Sequence, residues 1–221
     1  MSKQFDAELK KLKTKIMEMG AIAQSMFETA MRALVTREPA LVAEIDALEA
    51  RVDRFQVEID EDAIRLMAVY GPVAMDLRFV LMVARINTEL ERIGDQAVNM
   101  CENVSLLVSE PELKKLVDLP RMAEVAARML QISLEAFRDG AVERARDVIA
   151  NDGEVDALND LIFRELLTYM LSDPRNITRS VALLLTARAL ERIADHATNI
   201  AEEVIFMVKG EDVRHPEARE V

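Results

Sequence analysis

Apolar residues recur at alternating intervals of three and four along two stretches of this chain. The first stretch carries them at Phe79, Met82, Ile86, Leu90, Ile93, Ala97, Met100, Val104 and Leu107. Such spacing places the side chains along one face of an α-helix. The second stretch carries them at Leu190, Ile193, Ala197, Ile200, Val204 and Met207, each one hundred positions after its counterpart. The pattern predicts two long amphipathic helices and an internally duplicated chain.

Helix-breaking residues are few and far apart. They fall at Glu38-Pro39, Gly71-Pro72, Glu110-Pro111, Asp118-Leu119-Pro120, Gly140 and Asp173-Pro174. These breaks predict six helices, at residues 5–37, 40–70, 73–108, 119–139, 141–172 and 176–209. The polar tail that begins at Gly210 is expected to fray.

Three long helices joined by short turns run antiparallel to their neighbours, so each copy is predicted to be a three-helix bundle. The first repeat takes residues 1–110 and the second takes residues 111–221. Composition agrees, since the 221 residues include only six glycines and six prolines and are 51% hydrophobic. The predicted fold class is all-α, with two tandem three-helix bundles.

Charge and cysteine content narrow the range of partners and locations. The 28 basic and 40 acidic side chains give a formal charge of −12, so no cationic excess favours nucleic-acid binding. The N-terminus lacks a signal-peptide apolar block, and no apolar run approaches the ~18 residues of a membrane span. We expect a cytoplasmic protein that reaches membranes only through partners. For the single cysteine, Cys101, a buried side chain is at least as good an interpretation as a reactive thiol.

Acidic and amide side chains form a row on the far side of each apolar seam. The rows are Glu91, Asp95, Asn99 and Glu102 in the first repeat, and Glu191, Asp195, Asn199 and Glu202 in the second. Because successive residues turn by about 100° around a helix, each row lies roughly opposite its seam. Both rows are therefore expected to face away from the core of their own bundle.

The preceding helix of each copy carries another acid pair four residues apart. These pairs are Glu49 with Asp53, and Asp152 with Asp156. Asp53 lies 18 residues before Gly71 and Glu91 lies 20 residues after it, so the two antiparallel helices bring them level. Asp156 and Glu191 lie 18 and 17 residues on either side of Pro174. Each repeat is thus predicted to hold four carboxylates in one outer groove.

Four carboxylates in one groove repel one another unless a cation neutralises them. Hard oxygen ligands suit Mg²⁺, Mn²⁺, iron or Ca²⁺, so the hypothesis is one metal site in each repeat. The alternative is a solvated acidic face, because Glu-x-x-x-Asp is common on helices and Arg92 and Arg192 offer the acids partners within the chain.

Enzymatic chemistry finds little support in the sequence. A di-iron core is disfavoured because neither histidine, His196 or His215, has a glutamate three residues earlier. His196 is expected at the surface rather than as a metal ligand. The sequence also lacks a glycine-rich phosphate loop, a Ser/His/Asp set and a Cys/His cluster.

Several motifs together resemble the PhoU family of bacterial phosphate-uptake regulators. They are Glu91-Arg92-Ile93-Gly94-Asp95, Glu191-Arg192-Ile193-Ala194-Asp195, Pro72-Val73-Ala74-Met75-Asp76-Leu77-Arg78 and Leu167-Thr168-Tyr169-Met170. The family is known as two three-helix bundles whose E(D)xxxD motifs can hold metal clusters on the outer surface. The resemblance implies ligands for iron, manganese or magnesium at Glu49, Asp53, Glu91, Asp95, Asp152, Asp156, Glu191 and Asp195.

The same resemblance implies a negative regulator of phosphate uptake and of the phosphate-starvation response. Such a protein would connect the ATPase of the phosphate ABC transporter with the sensor histidine kinase of a two-component system. A homodimer is the default expectation for symmetric helical surfaces. The rival interpretation is a carboxylate-bridged metalloenzyme or metal-storage protein, and a third is a helical scaffold that binds no metal.

Overall fold

The structure, a computed structural model, describes residues 3–214 and consists of six long helices. They are α1 (Lys3–Thr36), α2 (Val42–Tyr70), α3 (Ala74–Ser109), α4 (Asp118–Asp139), α5 (Val142–Ser172) and α6 (Ile177–Lys209). Short 3-10 turns at Pro39–Leu41 and Pro174–Asn176 precede α2 and α6. Every helix end lies within two residues of its predicted position, and residues 3–214 contain no strand. The all-α prediction is confirmed.

Glycines end the helices where the chain reverses. Gly71 adopts a left-handed conformation with φ of 53°, and its N–H donates to the carbonyl of Met67. Glycine takes this conformation without the steric cost that a Cβ brings, and Pro72 cannot continue the helix. Gly140 ends α4 in the same way, with φ of 64°. These reversals place α3 beside α2 and α5 beside α4.

Each half of the chain buries its seam within its own three helices. α1, α2 and α3 pack on one another, as do α4, α5 and α6. All seam residues predicted from the sequence are buried except Phe79, which is half-buried and stacks on Phe137 with ring centroids 6.1 Å apart. The two tandem three-helix bundles are therefore observed as expected.

Most of the contact between the two bundles comes from two helix pairs. α3 lies against α6 over much of their length, and α1 meets α4. The α1–α4 approach is close at Gly20, where an added Cβ would lie 2.8 Å from Cδ2 of Leu134. In the described part of the chain, α2 and α5 contact only helices of their own bundle, so they lie at opposite outer ends. Within residues 3–214, no helix has the length and apolar character needed to cross a membrane.

The segment after α6 differs from the expected frayed tail. Nη1 of Arg214 donates to Oε1 of Glu203 at 3.0 Å, and the Arg214 backbone N–H donates to Oδ1 of Asp212 at 3.1 Å. Glu203 is only 6% exposed, so this tail covers a buried carboxylate. Fraying is therefore wrong for residues 210–214, whereas His215 lies outside the described residues.

Candidate functional site

The first acidic cluster lies between α2 and α3. Burial raises the pKa of Glu49, and the negative charges of Asp53 and Asp95 raise it further. The pKa of Glu91 is raised by burial and then by Asp95 and Asp53. Burial and the charge of Asp53 also raise the pKa of Asp95. Since the charges of Asp53 and Asp95 both reach Glu49 on α2 and Glu91 on α3, the structure brings all four predicted residues into one groove.

The second acidic cluster repeats this arrangement between α5 and α6. Burial raises the pKa of Asp195, followed by the charges of Asp152, Glu191 and Asp156. Burial also raises the pKa of Asp152. The hydroxyl of Thr198 partly offsets this rise, because its Oγ1 donates a hydrogen bond to Oδ1 of Asp152 at 3.1 Å. The first repeat has an apolar residue, Val98, at the position of Thr198, so only the second cluster has this hydroxyl donor.

The donor chemistry of both clusters fits a hard cation. The aspartates at 53, 95, 156 and 195 are exposed, and the remaining four acids are half-buried. Carboxylate oxygens are the ligands that Mg²⁺, Mn²⁺ and Ca²⁺ prefer. In residues 3–214, however, no three His, Cys, Asp or Glu side chains are positioned to hold a metal ion. The acids share a groove without converging on one point, and metal binding stays a prediction.

The lone cysteine belongs to the core. Cys101 is 4% exposed. Burial, with a smaller contribution from the charge of Asp46, raises its pKa to about 12. Its thiol is therefore protonated at neutral pH and is a poor nucleophile or metal ligand.

A third polar group, absent from the sequence prediction, joins the two bundles at Glu89 of α3. Oε2 of Glu89 lies 2.7 Å from Nδ1 of His196 and accepts from Nδ2 of Asn199 at 2.9 Å. Oε1 accepts from Nη1 of Arg92 at 3.3 Å. Burial opposes ionisation of Glu89, but the hydrogen bonds from His196 and Asn199 outweigh it and lower its pKa. Glu89 is thus an ionised carboxylate held between the bundles.

This contact corrects the surface location expected for His196. Its side chain is only 14% exposed, because it packs against α3 of the other bundle. The same correction applies to Asn199, which was expected on an outward row. The row does face away from its own core, but part of that outer face of α6 is the surface that packs on α3.

A second ionic contact lies farther along the same interface. Nη1 of Arg85 on α3 donates to both carboxylate oxygens of Glu203 on α6, at 3.2 and 3.3 Å. The sequence pattern missed Glu89, Arg85 and Glu203. A signal was available, because all three are charged residues whose counterparts in the other copy are uncharged: Ala189, Leu185 and Asn103.

Comparison with known proteins agrees with this duplicated geometry. A family profile described as the PhoU domain matches twice, over residues 16–104 and residues 119–204. The chain belongs to the PhoU family. The two matches correspond to the two bundles, so each bundle is one PhoU repeat. The resemblance inferred from the duplicated Glu-Arg-Ile-x-Asp motifs is confirmed.

Similar PhoU proteins align along nearly their whole length. The phosphate-specific transport system accessory protein PhoU homolog of Xylella fastidiosa (strain 9a5c) is 38% identical over 214 residues, which is 97% of this chain and 90% of that protein. The crystal structure of PhoU from Pseudomonas aeruginosa matches with a TM-score of 0.91 and 33% identity, covering 94% of this chain and 100% of that one. The phosphate transport system regulatory protein PhoU from Streptococcus pneumoniae matches with a TM-score of 0.86 and 25% identity, over 95% and 99% of the two chains.

Proposed function

We propose that this PhoU-family protein is a negative regulator of phosphate uptake and of the phosphate-starvation response. It has a role in the regulation of phosphate transport, as the names of relatives that align along nearly its whole length support. In this proposal it works in the cytoplasm as an adaptor between the ATPase of a phosphate ABC transporter and a sensor histidine kinase. Family membership over nearly the entire chain is the observation that carries the proposal.

The outer helices offer two similar but non-identical docking surfaces, which suits an adaptor with two partners. On α2 the exposed apolar side chains are Val57, Ile64 and Val69. On α5 they are Leu161, Phe163, Leu167 and Leu171. Val57 and Ile64 share one face of α2, and Phe163, Leu167 and Leu171 share one face of α5, as their spacing shows. Exposed apolar patches of this kind are typical of protein interaction sites. The two surfaces are alike because the chain is duplicated, and their different side chains would let each surface select its own partner.

The protein is an accessory protein and not an enzyme. Its relatives are named as accessory proteins of phosphate transport. The rival metalloenzyme needs an inward, histidine-containing ligand set, whereas the two acid clusters lie in outer grooves and His196 is engaged with Glu89. No observation favours the rival, so the adaptor remains the single candidate.

Metal binding at the two clusters is part of the proposal. Glu49, Asp53, Glu91 and Asp95 would hold one ion or ion cluster, and Asp152, Asp156, Glu191 and Asp195 another. Iron, manganese or magnesium would neutralise the carboxylates that now repel one another. The side chains would need to change rotamer to converge, and their partial exposure leaves room for that change. Metal binding would then hold α2 more firmly against α3, and α5 more firmly against α6, beneath the docking surfaces.

Affinity capture from phosphate-replete and phosphate-starved cells tests the adaptor role. The tagged full chain is expected to retain the transporter ATPase and the sensor kinase, each identified by mass spectrometry. Ile64→Glu on α2 and Phe163→Glu on α5 should each weaken capture of one partner. Val35→Glu, an exposed apolar position on α1, is the matched control and should retain both. Recovery of neither protein under either condition by a folded chain would overturn the proposal.

The oligomeric state is tested separately. We propose a homodimer, since most soluble oligomers are closed and symmetric. Light scattering of the purified protein should give twice the mass of 24.9 kDa. A mass of one chain at all concentrations would contradict it.

A further inference from the structure

The packing of α3 on α6 creates two related environments. The helices run antiparallel, since Arg78 near the start of α3 donates to the carbonyl of Met207 near the end of α6, and Arg85 reaches Glu203. Because α3 and α6 are the third helices of two repeats, corresponding residues lie at related positions on opposite sides of their contact. The environment of Glu89 therefore has a counterpart at Ala189, one hundred positions later.

At the first position the protein supplies its own anion. The Glu89 carboxylate takes hydrogen bonds from Arg92 on its own helix and from Asn199 on α6, and the ring of His196 contacts it. Hydrogen bonds to an ionised carboxylate are stronger than those between neutral groups, most of all when the donor is a guanidinium. This environment contains both the donors and the acceptor that they require.

At the second position the chain again has hydrogen-bond donors, but no side chain corresponds to the Glu89 carboxylate. The counterparts of Arg92, His196 and Asn199 are Arg192, Gln96 and Asn99. All three line one cavity of about 320 Å³, together with Ala189. Alanine at position 189 ends at Cβ, so it places no acceptor where Glu89 has one.

The donor side chains that correspond to Arg92, His196 and Asn199 have no acceptor in the described part of the chain. Within residues 3–214, the side chains of Gln96, Asn99 and Arg192 make no hydrogen bond or ion pair with one another or with the rest of the protein. Arg188 adds a second unpaired guanidinium one turn before Arg192. Glu102 also lines the cavity, but within the described residues it forms no ion pair with Arg188 or Arg192, so both guanidinium groups keep their donors for a ligand.

We infer that this cavity binds a small oxyanion of the phosphate class at the position that corresponds to the Glu89 carboxylate. Two guanidinium groups and two amides suit a tetrahedral, doubly charged ion with several acceptor oxygens better than a single planar carboxylate. Free inorganic phosphate and the phosphate group of a larger ligand share this chemistry. The site lies between the bundles, so its occupancy bears on how α3 and α6 pack.

Titration calorimetry with inorganic phosphate tests the inference on the purified full chain. The buffer holds chloride and no metal ion, so that phosphate cannot bind through a cation at the acid clusters. Arg192→Gln removes one charge-assisted donor and should weaken phosphate binding by about tenfold or more. Arg128→Gln, at an exposed arginine of α4 outside the cavity, is the matched control and should bind as the wild type does. A phosphate monoester in place of inorganic phosphate distinguishes the two sources, since only a cavity open to a larger ligand binds it equally well.

Exchange of the two related positions gives the sharpest comparison. Ala189→Glu supplies the missing carboxylate, so it should abolish phosphate binding without lowering the melting temperature. Glu89→Ala removes the internal carboxylate from the first position, so it should create a second phosphate site, and added phosphate should raise the melting temperature of this variant by more than that of the wild type. Both readouts use folded protein, and a cooperative melting curve checks each variant.

Two results would overturn the inference. One is phosphate binding that is equal in the wild type, Arg192→Gln and Ala189→Glu. The other concerns Glu102, whose carboxylate also lines the cavity. If phosphate binds only after Glu102→Gln, the chain itself supplies the anion and the site is not a ligand site. All these measurements use the isolated protein, so their failure leaves the adaptor proposal standing.

Discussion

Replacing one aspartate in each acidic cluster should stabilise the metal-free protein and remove its response to metal. The variant is Asp95→Asn with Asp195→Asn. Each aspartate follows a glutamate by four residues, at Glu91 and Glu191, and faces acids on the preceding helix. Like charges four residues apart on a helix cost roughly 0.2–0.5 kcal/mol per pair. Relief of two such pairs and of the cross-helix repulsion gives about 1 kcal/mol.

For a chain of this size, a gain of 1 kcal/mol corresponds to an increase of about 2–4 °C in melting temperature. The pH dependence follows from the raised pKa values of Asp95 and Asp195. The folded state binds protons at these groups more tightly than the unfolded state, so the destabilisation is complete above the folded-state pKa values. It disappears as pH falls through them. The advantage of the variant should therefore be largest at neutral pH and small in acid.

Differential scanning calorimetry of chelator-treated and dialysed protein measures this difference. The control is Asp62→Asn, because ion pairs with Lys15 and Arg65 outweigh the burial of Asp62 and lower its pKa. That variant should lose stability at neutral pH, by less than about 1 kcal/mol for a largely surface pair. A lower melting temperature of the double variant at neutral pH without metal would refute mutual repulsion in the clusters.

Metal addition completes the same experiment. A cation that binds only the folded state raises the melting temperature of the wild type. Elemental analysis should find about half the bound metal in Asp95→Asn and almost none in the double variant, because the second groove has its own four acids. Equal metal content in the wild type and the double variant would exclude the two-groove account and favour a solvated acidic face.

Two further predictions concern packing. Leu190→Asp puts an unpaired charge at a fully buried position and should lower the free energy of unfolding by several kcal/mol. Glu191→Gln should leave it nearly unchanged in the absence of metal. Denaturant unfolding measures both, and equal losses of stability would mean that the helical phase is wrong. Gly94→Ala has room for its Cβ, with the nearest atom 3.5 Å away, and should gain about 0.5–1 kcal/mol. In Gly20→Ala the added Cβ would lie 2.8 Å from Cδ2 of Leu134, so this variant should not gain stability. Equal gains in the two variants would contradict the close approach of α1 and α4.

The sequence predicted each bundle well because local signals decide it. The three-and-four seam from Met82 to Leu107 sets which face of α3 is buried, and the breakers at Gly71-Pro72 and Asp173-Pro174 set the hairpins. Counting outwards from those hairpins was enough to bring Asp53 level with Glu91. These inferences need only the helical repeat and the direction of neighbouring helices.

The contact between the bundles could not be derived in that way. Periodicity shows that His196 lies off the seam, but it does not show which outward face of α6 another bundle covers. That depends on the pairing of α3 with α6, a long-range contact that the repeat pattern does not contain. The useful signal lies in the differences between copies: Glu89 against Ala189, and Glu203 against Asn103. A charged residue present in only one repeat marks the positions where the two halves are not interchangeable.

The regulatory role is tested most directly by transcript levels of phosphate-starvation genes in a clean deletion of this protein, grown in rich phosphate. We expect these genes to stay expressed in the deletion and to be repressed again when the wild-type chain is restored from a plasmid. Leu190→Asp, which disrupts the second bundle, should fail to restore repression. Normal repression of the starvation genes in the deletion strain would contradict the central claim.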